Sequence, residues 1–168
     1  MEDDINKLIE ILGGDDPVCS AEAAEELSLL GPDAWEATVA LVRAMANQDE
    51  EVREFVTEAL EELGPPSPVH MPELAKLLED PNADVGYWAA TLLGRLGQLR
   101  KAAIAPLIKA AENPAIAITV RERVVWALGR IGRPAKAALP ILGKYSRDTE
   151  NSRLSRLAAT AIKQMGAQ

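Results

Sequence analysis

Few residues in this chain have side chains that do covalent or metal chemistry. His70 is the one histidine and Cys19 the one cysteine among 168 residues. A structural or catalytic metal needs three or four such ligands close together. His70 stands between prolines and is followed by Met71, so neither a ligand cluster nor a Ser-His-Asp set can be built around it. It is expected on the surface beside the proline stretch. Carboxylates are abundant, but Asp49-Glu50-Glu51 and Glu58, Glu61 and Glu62 form runs that read as solvated faces rather than acid-base pairs. No catalytic residue, metal or cofactor is expected. The chemistry the chain does carry is that of recognition: Phe55, Tyr87, Trp88 and Trp126 interleave with Arg95, Arg123 and Arg130. Aromatic bodies bury large areas, and guanidinium groups bind carboxylates or stack on rings, so this mixture predicts a surface that holds a protein or peptide.

These residues are positioned by a repeat. Gly31, Gly64, Gly97, Gly132 and Gly166 follow one another at intervals of 33, 33, 35 and 34 residues, and each closes a similar phrase such as AAEELSLLG or VVWALGRIG. That is a repeat period. Four residues before the glycine stand Leu27, Leu60, Leu93, Leu128 and Ile162; eight before stand Ala23, Val56, Ala89, Val124 and Ala158. Twelve before stand Cys19, Val52, Val85, Val120 and Leu154, which predicts a buried Cys19. Such spacings lie on one face of a helix, not on a strand. The glycine suits a left-handed position just past a helix end. Asp16, Asp49, Asn82 and Asn151, fifteen before it, suit the helix start. The fourth copy has two extra residues, expected in its loop, and Thr119 to Glu122 has capping-box spacing.

The expectation is an all-α solenoid of five helix pairs, copies at about 1–31, 32–64, 65–97, 98–132 and 133–166, in one domain. Second helices are predicted at 17–30, 49–63, 82–96, 119–131 and 150–165, and the prolines of Gly64 to Pro68 form an elbow that leaves the period unbroken. Pro72, Pro106 and Pro140 recur at intervals of 34, and each should start or kink a first helix after a short turn. The aromatic and arginine residues fall two, six, nine or ten before the glycine, opposite the core columns.

Charge is unevenly spread. Residues 1–84 carry 22 acidic and 4 basic side chains, net −18, whereas residues 85–168 carry 4 and 14, net +10. An acidic partner is therefore expected towards the C-terminal half, and the acidic half argues against nucleic acid. Ends of opposite sign predict a monomer with at most weak, salt-sensitive self-association. No run of eighteen apolar residues occurs and the opening MEDDINK is unlike a secretory leader, so a soluble, cytoplasmic protein away from membranes is expected.

The Asp-Pro and Asp-Glu turns, the Val-Arg pair within Asp49 to Arg53 and the Ala-Leu-Gly-Arg-Ile-Gly ending of copy four resemble the HEAT repeat, in the subtype named after phycobilisome lyases. The resemblance covers nearly the whole chain. It implies that second helices line a concave face; the repeat architecture, the aromatic and arginine residues on that face and the missing catalytic groups together lead to the expectation of a non-enzymatic interaction or scaffold module. Two further functions follow from relatives of that repeat type: an accessory subunit of a bilin lyase-like complex, with bilin propionates on Arg95, Arg123 and Arg130, and a DNA-binding protein using the basic half. The Val-Arg pair is replaced by Cys19-Ser20, Val85-Gly86 and Leu154-Ser155 in three copies, which are expected to pack less regularly.

Overall fold

A computed structural model describes residues 2–96 and 101–166. Among these residues there are ten α-helices and no strand. Gly97 lies outside them. The chain divides into two compact units, Met1–Glu73 and Leu74–Gln168.

The first unit holds α1 (Glu2–Leu12), α2 (Pro17–Leu30), α3 (Thr38–Ala44) and α4 (Glu50–Glu62). The division falls within α5 (Met71–Leu77), and the second unit continues with α6 (Ala83–Gly94), α7 (Ile104–Glu112), α8 (Ile118–Ile131), α9 (Leu139–Tyr145) and α10 (Ser152–Gly166). Every second helix thus starts fourteen residues before its glycine, and in α2, α4 and α6 the polar residue one step earlier caps it. Asp16 accepts from the amides of Val18 and Cys19, Asp49 from those of Glu51 and Val52, and Asn82 from those of Asp84 and Val85. Pro72, Pro106 and Pro140 fall in the first turns of α5, α7 and α9, where a missing amide costs nothing. Short 3₁₀ turns precede α3, α5 and α9.

Within each unit the core is a seam of the expected columns. Leu27, Val52, Val56 and Leu60 are fully buried in the first, and Leu93, Val124, Leu128 and Leu154 in the second. Fully burying one such side chain is worth about 1.5–3 kcal/mol. In the first unit α2 and α4 pack along each other. In the second, α6, α8 and α10 form a closely packed row, and the first helices α7 and α9 stand further apart. Small residues set that closeness: a Cβ on Gly94 would lie 3.1 Å from Ala127 Cβ, and one on Gly129 3.1 Å from Ala161 Cβ.

In four copies the turn inside the helix pair is held from the column eleven before the glycine; copy three has Gly86 there. Arg53 donates from Nη1 to the carbonyls of Asn47, Gln48 and Asp49, at 2.8, 2.8 and 3.1 Å. Arg121 does the same through Nη2 to Pro114 and Ile116, both at 3.0 Å. Where arginine is missing the tie survives in shorter form: Ser20 Oγ donates to Ile11 O at 3.2 Å, and Ser155 Oγ to Ser146 O at 2.9 Å. Copies one and five are therefore not loosened at this point.

Five details depart from the sequence-based expectation. Cys19 is exposed, since its column faces the preceding repeat and no described helix covers that side of α2; Ser20 is the buried neighbour. Gly31 and Gly132 have positive φ but ψ of −128° and −140°, a conformation more restricted to glycine than the left-handed helical one, and Gly166 belongs to α10 itself. Thr119 lies inside α8, whose cap position is Ala117 and bears no side-chain hydrogen bond. The extra length of copy four enters α7, nine residues where α3, α5 and α9 have seven. His70 is half-buried rather than on the surface, because the 3₁₀ turn Pro68–His70 brings its ring 5.7 Å from that of Trp35.

Candidate protein-interaction surface

Six of the seven candidate contact residues come together on α6, on Arg95 just past its end, and on α8. Arg123 is at the centre. Its guanidinium lies 3.7 Å from the Trp126 ring centre and 4.9 Å from that of Tyr87. Its Nε donates to Thr91 Oγ1 at 2.7 Å, and Thr91 in turn donates to Tyr87 O at 2.8 Å. An arginine side chain ordinarily surrenders substantial rotamer entropy on binding; here rings and hydroxyl have already fixed it. Gly94 makes room for the arrangement, as a Cβ there would stand 2.8 Å from Trp126 Cζ3.

Two further guanidinium groups flank the first. Arg95 is 5.9 Å from the Trp88 ring centre and Arg130 5.8 Å from that of Trp126. Trp88 itself is only 7% exposed and meets Tyr87 edge to face at 6.0 Å, so it backs Arg95 and offers little surface of its own. Arg130 is exposed, and Tyr87, Arg95, Arg123 and Trp126 are half-buried. Phe55 belongs to the first unit, half-buried on α4. Burial, foremost, and then the nearby positive charge of Arg95 pull the Arg123 pKa down from the ordinary arginine value, against an opposing contribution from Tyr87. A site that strains its own cation in this way gains from a bound anion.

Thr91 carries no warning in the sequence. It occupies the column of Glu25, Glu58, Trp126 and Thr160, and its role emerges only when α8 is laid against α6. A cleft of about 510 Å³ away from this cluster is lined by Ala75, Lys76, Glu79, Ala105, Pro106 and Lys109, and holds a 2.8 Å ion pair between Lys109 and Glu79. Among the described residues no three His, Cys, Asp or Glu are grouped to hold a metal ion, and no helix is long and apolar enough to cross a membrane.

Helix pairs repeated at a period of about 34 residues, with second helices packed along one another within each unit, define a helical-repeat solenoid. Residues 71–163, more than half of the chain, match the HEAT-repeat family, and the chain belongs to that family. Among solved structures it is similar to an engineered protein at 22% identity and a TM-score of 0.58, covering 96% of this chain and 79% of that one. A designed armadillo repeat protein aligns at 17% identity and a TM-score of 0.55, over 94% of this chain and 80% of the other. A second engineered protein aligns at 21% and 0.56, over 96% and 47%. At these identities the likeness speaks for the fold. No curated protein matches the sequence.

Proposed function

We propose that this HEAT-repeat chain is a non-enzymatic interaction module, and that the arginine row of α6 and α8 takes an acidic segment of a protein or peptide partner. One observation carries the reading: Arg123 is stacked between Trp126 and Tyr87 and bonded to Thr91, with Arg95 and Arg130 on either side. Three cations gathered on one surface, the central one fixed by two rings and a hydroxyl, are a preorganised receptor for carboxylates, and the rings supply apolar area beside them. The scaffold nature of the fold supports the same reading. The finer subtype, that of the phycobilisome lyases, rests on the Ala-Leu-Gly-Arg-Ile-Gly ending at Ala127 to Gly132.

Titration with a peptide of alternating glutamate and aromatic residues, followed by tryptophan fluorescence, tests the proposal. Binding should weaken with added salt and fall at least about tenfold in Arg123→Gln plus Arg130→Gln, the loss of one to two charge-assisted contacts. Unchanged binding by the double variant would overturn it. Tighter binding of duplex DNA than of the peptide, with a steep salt dependence, would favour a nucleic-acid function instead. A visible absorbance shift on mixing with a bilin would favour an accessory lyase role.

A further inference from the structure

The row α6, α8, α10 reveals a packing rule that two other faces of the molecule obey in charge. Along the row, the residue three before the glycine of one copy meets the residue five before the glycine of the next: Gly94 meets Ala127, and Gly129 meets Ala161. Likewise the residue ten before the glycine meets those nine and thirteen before the next, as Tyr87 meets Arg123 and Glu122 forms a 3.2 Å ion pair with Arg153. The onward face of α10 presents Lys163 and Arg156 at the first positions of these pairings, and Thr160 where α6 has Thr91. The backward face of α2 presents Glu26, Glu22 and Val18 at the second positions. All six side chains are exposed. At the five-before position, where Ala59, Ala127 and Ala161 are buried, α2 alone has a glutamate.

We propose that α2 of one copy docks on α10 of another, continuing the row from chain to chain. The internal register carried across the contact sets Glu26 against Lys163 and Glu22 against Arg156 and Thr160. Val18, 65% exposed, falls beside the aliphatic stem of Arg156. The two charged pairings, Glu26 with Lys163 and Glu22 with Arg156, are of opposite sign, whereas a contact of α2 with α2 or of α10 with α10 sets like against like. Long side chains replace the glycine and alanine of the inner pairs, so the helices stand further apart and the contact is weak and reversible. It is heterologous, using two different faces of each copy, so association runs on beyond a dimer.

Sedimentation of the full chain over a range of concentrations at low and high salt is the first measurement. Mass should rise with concentration at low salt and return to that of the monomer at high salt. Two charge-reversed variants make the contact specific: Glu22→Lys plus Glu26→Lys, and Arg156→Glu plus Lys163→Glu. Each alone should stay monomeric while keeping its helical circular dichroism and its acidic-peptide binding, and an equimolar mixture of the two should associate again. A wild type that is monomeric at low salt overturns the proposal. So do folded variants that associate as the wild type does, a loss caused by only one of them, or a mixture that fails to recover.

Discussion

Two glycines inside helices should respond to the same substitution with opposite sign. Gly94 ends α6 against α8, where an added Cβ would stand 2.8 Å from Trp126 Cζ3, 3.1 Å from Ala127 Cβ and 3.2 Å from Ala127 Cα. The last of these is backbone, so α8 as a whole has to move by a few tenths of an ångström, and overpacking of this kind costs about 1–3 kcal/mol. The helix-propensity gain of alanine over glycine, about 1 kcal/mol in an interior, is only partly available at a helix end. Gly94→Ala is therefore destabilising. Gly143 lies within α9 and has nothing within 4 Å of its added Cβ, so Gly143→Ala should stabilise by about 0.5–1 kcal/mol. For a chain of this length each kcal/mol moves the melting temperature by roughly 2–4 °C, so thermal circular dichroism resolves the two signs. Gly94→Ala should also alter tryptophan fluorescence, because Trp126 is pushed along the face of Arg123. A stabilised Gly94→Ala would show that α6 and α8 are not in close contact, and a destabilised Gly143→Ala would show that the α9 face is covered.

The other expectations concern core, turn and titration. Leu93→Ala and Leu128→Ala, both at fully buried positions, should each cost about 2–5 kcal/mol by denaturant titration, by leaving a cavity in the second unit. Arg121→Met should cost about 1.5–3 kcal/mol in the same assay, since it removes the guanidinium that donates to the carbonyls of Pro114 and Ile116 and lies 5.9 Å from the Tyr145 ring centre. Cys19 should alkylate more slowly at neutral pH than an unstructured cysteine peptide and speed up with salt, because the Asp16 carboxylate, above all, raises its thiol pKa. Burial lowers the His70 pKa, so proton NMR should find it titrating below the usual value of about 6.5. The sign for stability follows: above that value the imidazole is neutral in folded and unfolded chain alike. As pH falls below it the unfolded chain takes up the proton first, so stability is lost towards the folded pKa.

The repeat was legible because each column is a one-dimensional property. The glycine spacing, the aspartate and asparagine caps and the apolar positions are fixed by contacts within a copy, and copies of the same phrase reinforce one another. What escaped belongs to contacts between copies. Cys19 shares a column with Val52 and Val120, yet it is exposed because burial in that column is conferred by the preceding repeat. The glutamate at position 26 is the available clue, since the other copies have the apolar Ala59, Leu92, Ala127 and Ala161 there. Neighbouring prolines point His70 to the surface, but its surroundings depend on Trp35, thirty-five residues earlier. The candidate surface divides in the same way. Arg95 and Arg130 could be paired by column, while the stacking of Arg123 and the service of Thr91 needed α6 and α8 side by side.

The glycine and alanine pairs also bear on how such a chain can lengthen. Copy four carries both halves of the fit, Ala127 towards the repeat before it and Gly129 towards the repeat after it. A tandem duplicate of residues 98–132 would thus set Gly129 of the first against Ala127 of the second and repeat a contact the fold already makes. Copy two has Ala59 but Glu61 in place of the glycine, and copy five has Ala161 but Lys163. Growth by duplication is sterically ready-made in the middle of the array, and a library of chains with one, two or three insertions of copy four should fold without redesign of its joints.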